Sequence, residues 1–224
     1  MHDYKMLADG DRIIIGVSGG VDSLVLCWIL HHWRAKAPIN YEIQAVHLDM
    51  GFGSVNDFKA VQDQVNKIGL PLVVEHTDFG AEAYRQNPDN ACYNCARQRR
   101  NRLFSMAREQ GCSAIAFGHH KDDIIETLFI NMLYGGNIST MRPKQELFSG
   151  RLAIIRPLAY LTKPQIIEIA DSAGIKPVKN PCPMSGHSKR AEVRSLLDAL
   201  HLRNPKFRAN IFAALGNVKT DYLL

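Results

Sequence analysis

The sequence predicts an α/β fold: a doubly wound, mostly parallel five-stranded sheet with helices on both faces and a short helical C-terminal tail. Three observations predict it. Short β-branched runs alternate with longer helical stretches from Arg12 to Ala173, the pattern of a sheet wound with crossover helices. The strand runs are apolar on successive residues, as strands covered on both faces are. The clusters of polar, reactive residues mostly follow strands, at the carboxyl edge where such sheets bind ligands.

The first strand is read at Arg12–Val17, a run containing three consecutive isoleucines. The hexapeptide Ser18-Gly19-Gly20-Val21-Asp22-Ser23 then opens a helix over Asp22–Ala35. Further strands are predicted at Glu42–Leu48, Pro71–His76, Ser113–Phe117 and Leu152–Ile155. Helices are predicted at Ser54–Ile68, Tyr93–Gln110, Asp122–Leu133 and Lys163–Ala173. Residues 174–188 hold Pro177, Pro181 and Pro183 and read as an irregular connector. Lys189–Leu200 and Lys206–Leu215 read as two terminal helices. The expected organisation is one nucleotide-binding α/β domain over residues 1–175, with 176–224 packed on it.

At 224 residues, 46% hydrophobic and 22% charged, the chain has enough apolar material for a substantial core. No apolar run approaches the ~20 residues that span a bilayer, and the start lacks the build of a signal peptide. A cytoplasmic protein with no membrane partner is expected. Charge is unevenly placed. Residues 1–90 carry 7 Lys and Arg against 12 Asp and Glu, for a net −5, whereas residues 91–224 carry 20 against 10, for +10. A basic second half suits a polyanion such as nucleic acid, or equally a solvated basic face.

Ser18–Ser23 reads as a phosphate loop. Two glycines permit turns and close ligand approach, and the first N–H groups of the next helix point at whatever sits there. Ser18 and Ser23 add hydroxyls, and Asp22 adds a carboxylate able to hold a metal ion. The spacing matches neither a Walker A loop nor G-x-G-x-x-G. Asp49, at the end of the second strand, suits a ribose hydroxyl or a metal, and suits a turn aspartate equally well. Gly118-His119-His120-Lys121-Asp122-Asp123 ends the fourth strand with two carboxylates where capping needs only one.

The five cysteines divide by context. Cys27 and Cys112 sit in apolar stretches as small core residues. Cys92-Tyr93-Asn94-Cys95 has the spacing of half a metal site, and Cys182, between two prolines, is the remaining candidate ligand. Three thiolates leave one coordination position open. His187 is the candidate to close it for a structural Zn2+. After Cys95, Arg97 and Arg100 share one helical face while Arg99 and Arg102 share another. One pair is expected to face the site and the other to face solvent or RNA.

The hexapeptide resembles the SGGxDS loop of the PP-loop ATP pyrophosphatases. The loop, Leu48-Asp49, Cys92-x-x-Cys95, Arg97-x-Arg99-Arg100, Gly118-His119-His120-x-Asp122-Asp123, Tyr134-Gly135-Gly136, Arg156-Pro157-Leu158 and Pro181-Cys182 together resemble the tRNA 2-thiocytidine synthetases (TtcA-type) of that family. The resemblance runs from about Asp9 to Arg190. It implies an adenine nucleotide alpha hydrolase-like fold and ATP on Ser18, Gly19, Gly20, Asp22, Ser23, Leu48, Asp49, Gly118 and His119. It also implies a 4Fe-4S cluster on Cys92, Cys95 and Cys182, with sulfur replacing a pyrimidine 2-oxygen of tRNA through an adenylated intermediate. Asp22 and Asp122 are expected to position Mg2+, and Arg99 to stabilise the intermediate. The sulfur donor is expected to be a cysteine desulfurase or free sulfide, and a homodimer is left open. Val21 stands where these thiolases usually carry Lys, and Ser185 where a fourth cysteine often appears. A small-molecule substrate, or a non-enzymatic nucleotide- and metal-binding module, are the alternatives. For tRNA, the basic tail at Lys189, Arg190, Arg194, Lys206 and Arg208 is expected to meet phosphates.

Overall fold

The computed structural model describes residues 1–184 and 189–222. Its strands are β1 (Asp11–Gly16), β2 (Tyr41–Asp49), β3 (Leu72–His76), β4 (Ala114–Ala116), β5 (Lys144–Leu147) and β6 (Leu152–Ile155). Among the described residues they form one six-stranded sheet in the order β3-β2-β1-β4-β6-β5. The pairs β1–β2, β2–β3, β1–β4 and β4–β6 are parallel, and β5 runs antiparallel to β6.

The core explains the order. Ile13, Ile14 and Ile15 of β1 are all buried, which is what a central strand packed on both faces requires. Ile13 and Ile15 face α1 (Val21–Arg34) and α2 (Val55–Ile68), with α6 (Lys163–Ser172) in the same cluster. Ile14 faces the opposite way, onto Leu103, Met106 and Ala107 of α4 (Ala91–Glu109). Each such side chain contributes about 1.5–3 kcal/mol by leaving water.

The sequence predicts five strands and the sheet has six. The additional strand, Lys144-Gln145-Glu146-Leu147, is polar and lies at the sheet edge, so it carries no apolar run or alternation. Its turn to β6 places Phe148, Ser149 and Gly150 at φ 53, 58 and 82, left-handed geometry with no Asn-Gly signal to announce it. A short helix, α3 (Phe79–Gln86), is also absent from the sequence reading, because eight residues with a glycine give little periodicity.

Beyond β4, α5 (Lys121–Gly135) begins at the capping box formed by His120 and Asp123. The terminal helices α7 (Lys189–Arg203) and α8 (Lys206–Ala214) cover α5, with Ile125, Val193 and Leu197 buried between them and Ile211 and Phe212 packed alongside. Among the described residues no helix is long and apolar enough to cross a membrane.

Candidate active site

A cavity of about 330 Å³ opens at the carboxyl edge of the sheet. The loop after β1 forms its floor. Gly19 has φ +84, and a Cβ there would lie 2.8 Å from Val61 Cγ2, so both conformation and space call for glycine. Ser23 Oγ donates to the Gly20 carbonyl at 2.9 Å and accepts from the Ser18 N–H and Ser18 hydroxyl, each at 3.2 Å. The hydroxyls therefore brace the loop and leave the N–H groups of α1's first turn for a ligand. Gly118, at the end of β4, abuts this turn: a Cβ would sit 2.9 Å from Asp22 C and O. That contact joins two strand ends into one anion site.

Ser18, Asp22, Ser23, Leu48, Asp49, Gly118, His119, Arg99, Cys95 and Cys182 all line the cavity, while Gly19, Gly20, Cys92 and Asp122 do not. Asp49 accepts the Gly51 N–H at 3.0 Å and lies 3.3 Å from His76 Nδ1, so turn-bracing and ligand-facing roles coexist. Asp123, rather than Asp122, contributes to the wall. Asp122 instead accepts the Lys163 N–H at 2.8 Å and pairs with Arg208 at 2.8 Å. Asp22 is held by Lys163 Nζ at 2.6 and 2.8 Å. The buried His120 ring lies 3.6 Å from Asp22 and 3.6 Å from Asp122. The expected pairing of Asp22 and Asp122 on Mg2+ does not fit these partners, because each carboxylate already has a basic or N–H partner and an imidazole near both.

His119 has a buried Nδ1 without a hydrogen-bond partner. Burial, with help from Arg156, Arg190 and Arg99 against the opposing pull of Asp123, pushes its pKa down to about 4. A neutral ring with an unmet nitrogen on a cavity wall is suited to a ligand hydrogen bond.

Cys95 and Cys182 line the cavity and Cys92 lies within electrostatic reach of both. Burial raises the pKa of Cys95, Arg99 opposes that, and Cys182 and Cys92 add to it. Burial and Cys182 likewise raise that of Cys92. The three thiols therefore act on one another, and Arg99 favours the thiolate of Cys95. Among the described residues no three His, Cys, Asp or Glu side chains yet stand as a metal-holding group, and the candidate fourth ligand His187 lies outside the described residues. Cys27 and Cys112 are buried in the core.

The helix-face argument divides the arginines. Arg99 opens into the cavity, and Arg102 bolts α4 to β3 through Glu75 at 2.5 and 2.8 Å. Arg97, Arg99 and Arg100 are all exposed, so the expected pairing of Arg99 with Arg102 on a site-facing side holds for Arg99 only. The tail corrects the sequence reading. Arg194 binds the buried Glu126 through two contacts of 2.7 and 3.2 Å, Arg190 lies 3.5 Å from Asp123, and Lys189 stacks over Tyr134. With Arg208 on Asp122, most of these charges neutralise α5 instead of awaiting phosphate. Sequence reasoning also missed Lys163 and the connector: Val178 N–H donates to the Gly19 carbonyl at 2.9 Å, laying residues 178–182 along the cavity. Only the proline-flanked Cys182 signalled that segment.

Residues 2–200 match the PP-loop domain family. A tRNA-cytidine(32) 2-sulfurtransferase of Alkalilimnicola ehrlichii is 36% identical over 231 residues, covering 100% of this chain and 72% of the relative. One from Pelobacter propionicus is also 36% identical, covering 99% and 84%. The chain belongs to the PP-loop family of the tRNA-cytidine(32) 2-sulfurtransferases. The fold is shared more widely. The U34-tRNA thiolase NcsA from Methanococcus maripaludis, solved with its 4Fe-4S cluster, superposes with a TM-score of 0.80 at 22% identity, covering 97% of this chain and 75% of that one. A phosphoadenylyl-sulfate reductase from Candida auris superposes at 0.51 with 11% identity, covering 79% of each chain. Both neighbours have the adenine nucleotide alpha hydrolase-like fold.

Proposed function

We propose that this protein is an ATP-dependent sulfurtransferase that thiolates the 2-position of a cytidine in tRNA. The observation that carries the reading is the shared cavity, into which the phosphate loop, Arg99 and the thiols of Cys95 and Cys182 all open. Relatives named tRNA-cytidine(32) 2-sulfurtransferase, alike over the whole chain, support the substrate.

Three cysteines, the number at hand in Cys92, Cys95 and Cys182, suit a 4Fe-4S cluster of the kind solved in NcsA better than a structural zinc, which normally takes four protein ligands. Such a cluster on Cys92, Cys95 and Cys182 would supply an iron without a protein ligand, suited to binding sulfide. The rest is the work of the chain. The N–H groups of α1's first turn hold the ATP phosphates, and Lys163 brings to the loop a cation that Val21 does not provide. The cytidine O2 attacks the α-phosphorus, the bond to the bridging oxygen breaks and pyrophosphate leaves. Arg99, on the cavity wall, meets the charge that develops on the α-phosphate. Sulfide then adds at C2, the C2–O bond breaks with AMP as leaving group, and no net oxidation occurs. A cysteine desulfurase or free sulfide supplies the sulfur.

Protein purified without oxygen should hold four irons per chain and absorb broadly in the visible, bleaching on reduction. Cys92→Ser, Cys95→Ser and Cys182→Ser should each lose that iron, and Cys112→Ala should keep it. One zinc per chain in place of iron would overturn the cluster.

A further inference from the structure

We propose that Arg156 and Arg100 form an anion subsite beside the cavity that receives a backbone phosphate of the RNA strand carrying the target cytidine. The inference rests on the tRNA reading above. Arg156 directly follows β6, and its side chain is buried, at 6% exposure. The alternation of β6 carries Leu152 to the α4 face and Ala153 and Ile155 to the opposite one, so residue 156 falls on the α4 side. Its Nη1 donates to the Arg142 carbonyl at 2.6 Å, which pins the side chain. Its Nε is buried with no partner, and no carboxylate pairs with the group among the described residues.

A buried guanidinium with no counter-ion is expensive, and proteins nearly always pair one. Arg100 is an exposed residue of α4, the helix on whose side Arg156 falls, and after burial it is the charge that lowers the Arg156 pKa, to about 10. Arg100 adjoins Arg99, which opens into the cavity. Next along the wall, the buried Nδ1 of His119 is also unpartnered, and Arg156 and Arg99 both act on that ring. Contrast the tail, where each buried carboxylate has found an arginine. Among the described residues Arg99, Arg100 and Arg156 have no carboxylate partner, and Arg156 is the buried one of the three. An anion brought from outside would resolve the cost, with an Arg fork matched to a phosphate.

The ATP phosphates offer the same chemistry, so the test separates two sources. Binding of bulk tRNA is titrated across salt concentration, and binding of ATP by calorimetry, for the unaltered protein, Arg156→Gln, Arg100→Gln and Arg156→Lys. Thermal unfolding identifies any variant that has not folded. If the subsite takes RNA phosphate, Arg100→Gln and Arg156→Gln each weaken tRNA binding about tenfold and lower the salt slope by about one. ATP affinity stays as in the unaltered protein, and Arg156→Lys recovers part of the loss. A full salt slope in both Gln variants overturns the subsite. Loss of ATP affinity with tRNA binding intact overturns it in favour of nucleotide. Should the unaltered protein bind no tRNA at low salt while binding ATP, the functional reading itself is overturned.

Discussion

Single residues carry the nucleotide site through contacts that leave no room for error. Gly118 is the most exposed to test. A Cβ there would lie only 2.9–3.0 Å from the backbone of Asp22 and Ser23. Gly118→Ala should therefore push the loop and the strand apart. We expect about 1–3 kcal/mol of lost stability in urea unfolding and at least a tenfold fall in ATP affinity by calorimetry. His119 gives a pH prediction. Its folded pKa of about 4 lies below the unfolded 6.5, so between those values the unfolded chain binds the extra proton. Stability is then complete above pH 6.5 and is lost as pH falls toward 4, by at most about 1.4 kcal/mol per pH unit. In His119→Gln the unfolding midpoint should fall less steeply over that window than in the unaltered protein.

Between elements, the terminal helices are bolted to α5 by charge as well as by Ile125, Val193 and Leu197. Glu126 is buried, and Arg194 supplies its two close contacts, with Arg190 at 3.8 Å. Arg194→Ala should cost about 2 kcal/mol, because it strands a buried carboxylate, and should leave the salt slope of tRNA binding unchanged. An equilibrium unfolding curve and a salt titration check the two halves. This is also where the sequence was least legible. Ser18–Ser23, the isoleucine run and the cysteine spacing are local signals, and each lies where its neighbours alone would place it. Net charge is not local: the basic excess of residues 91–224 said nothing of Arg190, Arg194 and Arg208 meeting Asp123, Glu126 and Asp122. Likewise Asp122 and Asp123 are adjacent in sequence, and only helix phase sends one to the cavity and the other to Lys163 and Arg208. The polar edge strand β5 exists through its pairing with β6, not through its own composition.

At the scale of the whole molecule, the fold gathers three distant segments at one edge: the β1 loop, the start of α4 with its thiols and Arg99, and the connector that bonds to Gly19 through Val178 and brings Cys182 to the cavity. That gathering is the central claim, since activation by ATP and delivery of sulfur must act on one base in one cavity. Mass spectrometry of nucleosides tests it most directly. Protein prepared without oxygen is incubated with ATP, sulfide and unmodified tRNA, and the RNA is digested and analysed. We expect 2-thiocytidine to appear with one AMP per thiolated base, and to vanish in Cys182→Ser. Unmodified cytidine throughout, from protein that holds its iron and binds both ATP and tRNA, would contradict the account.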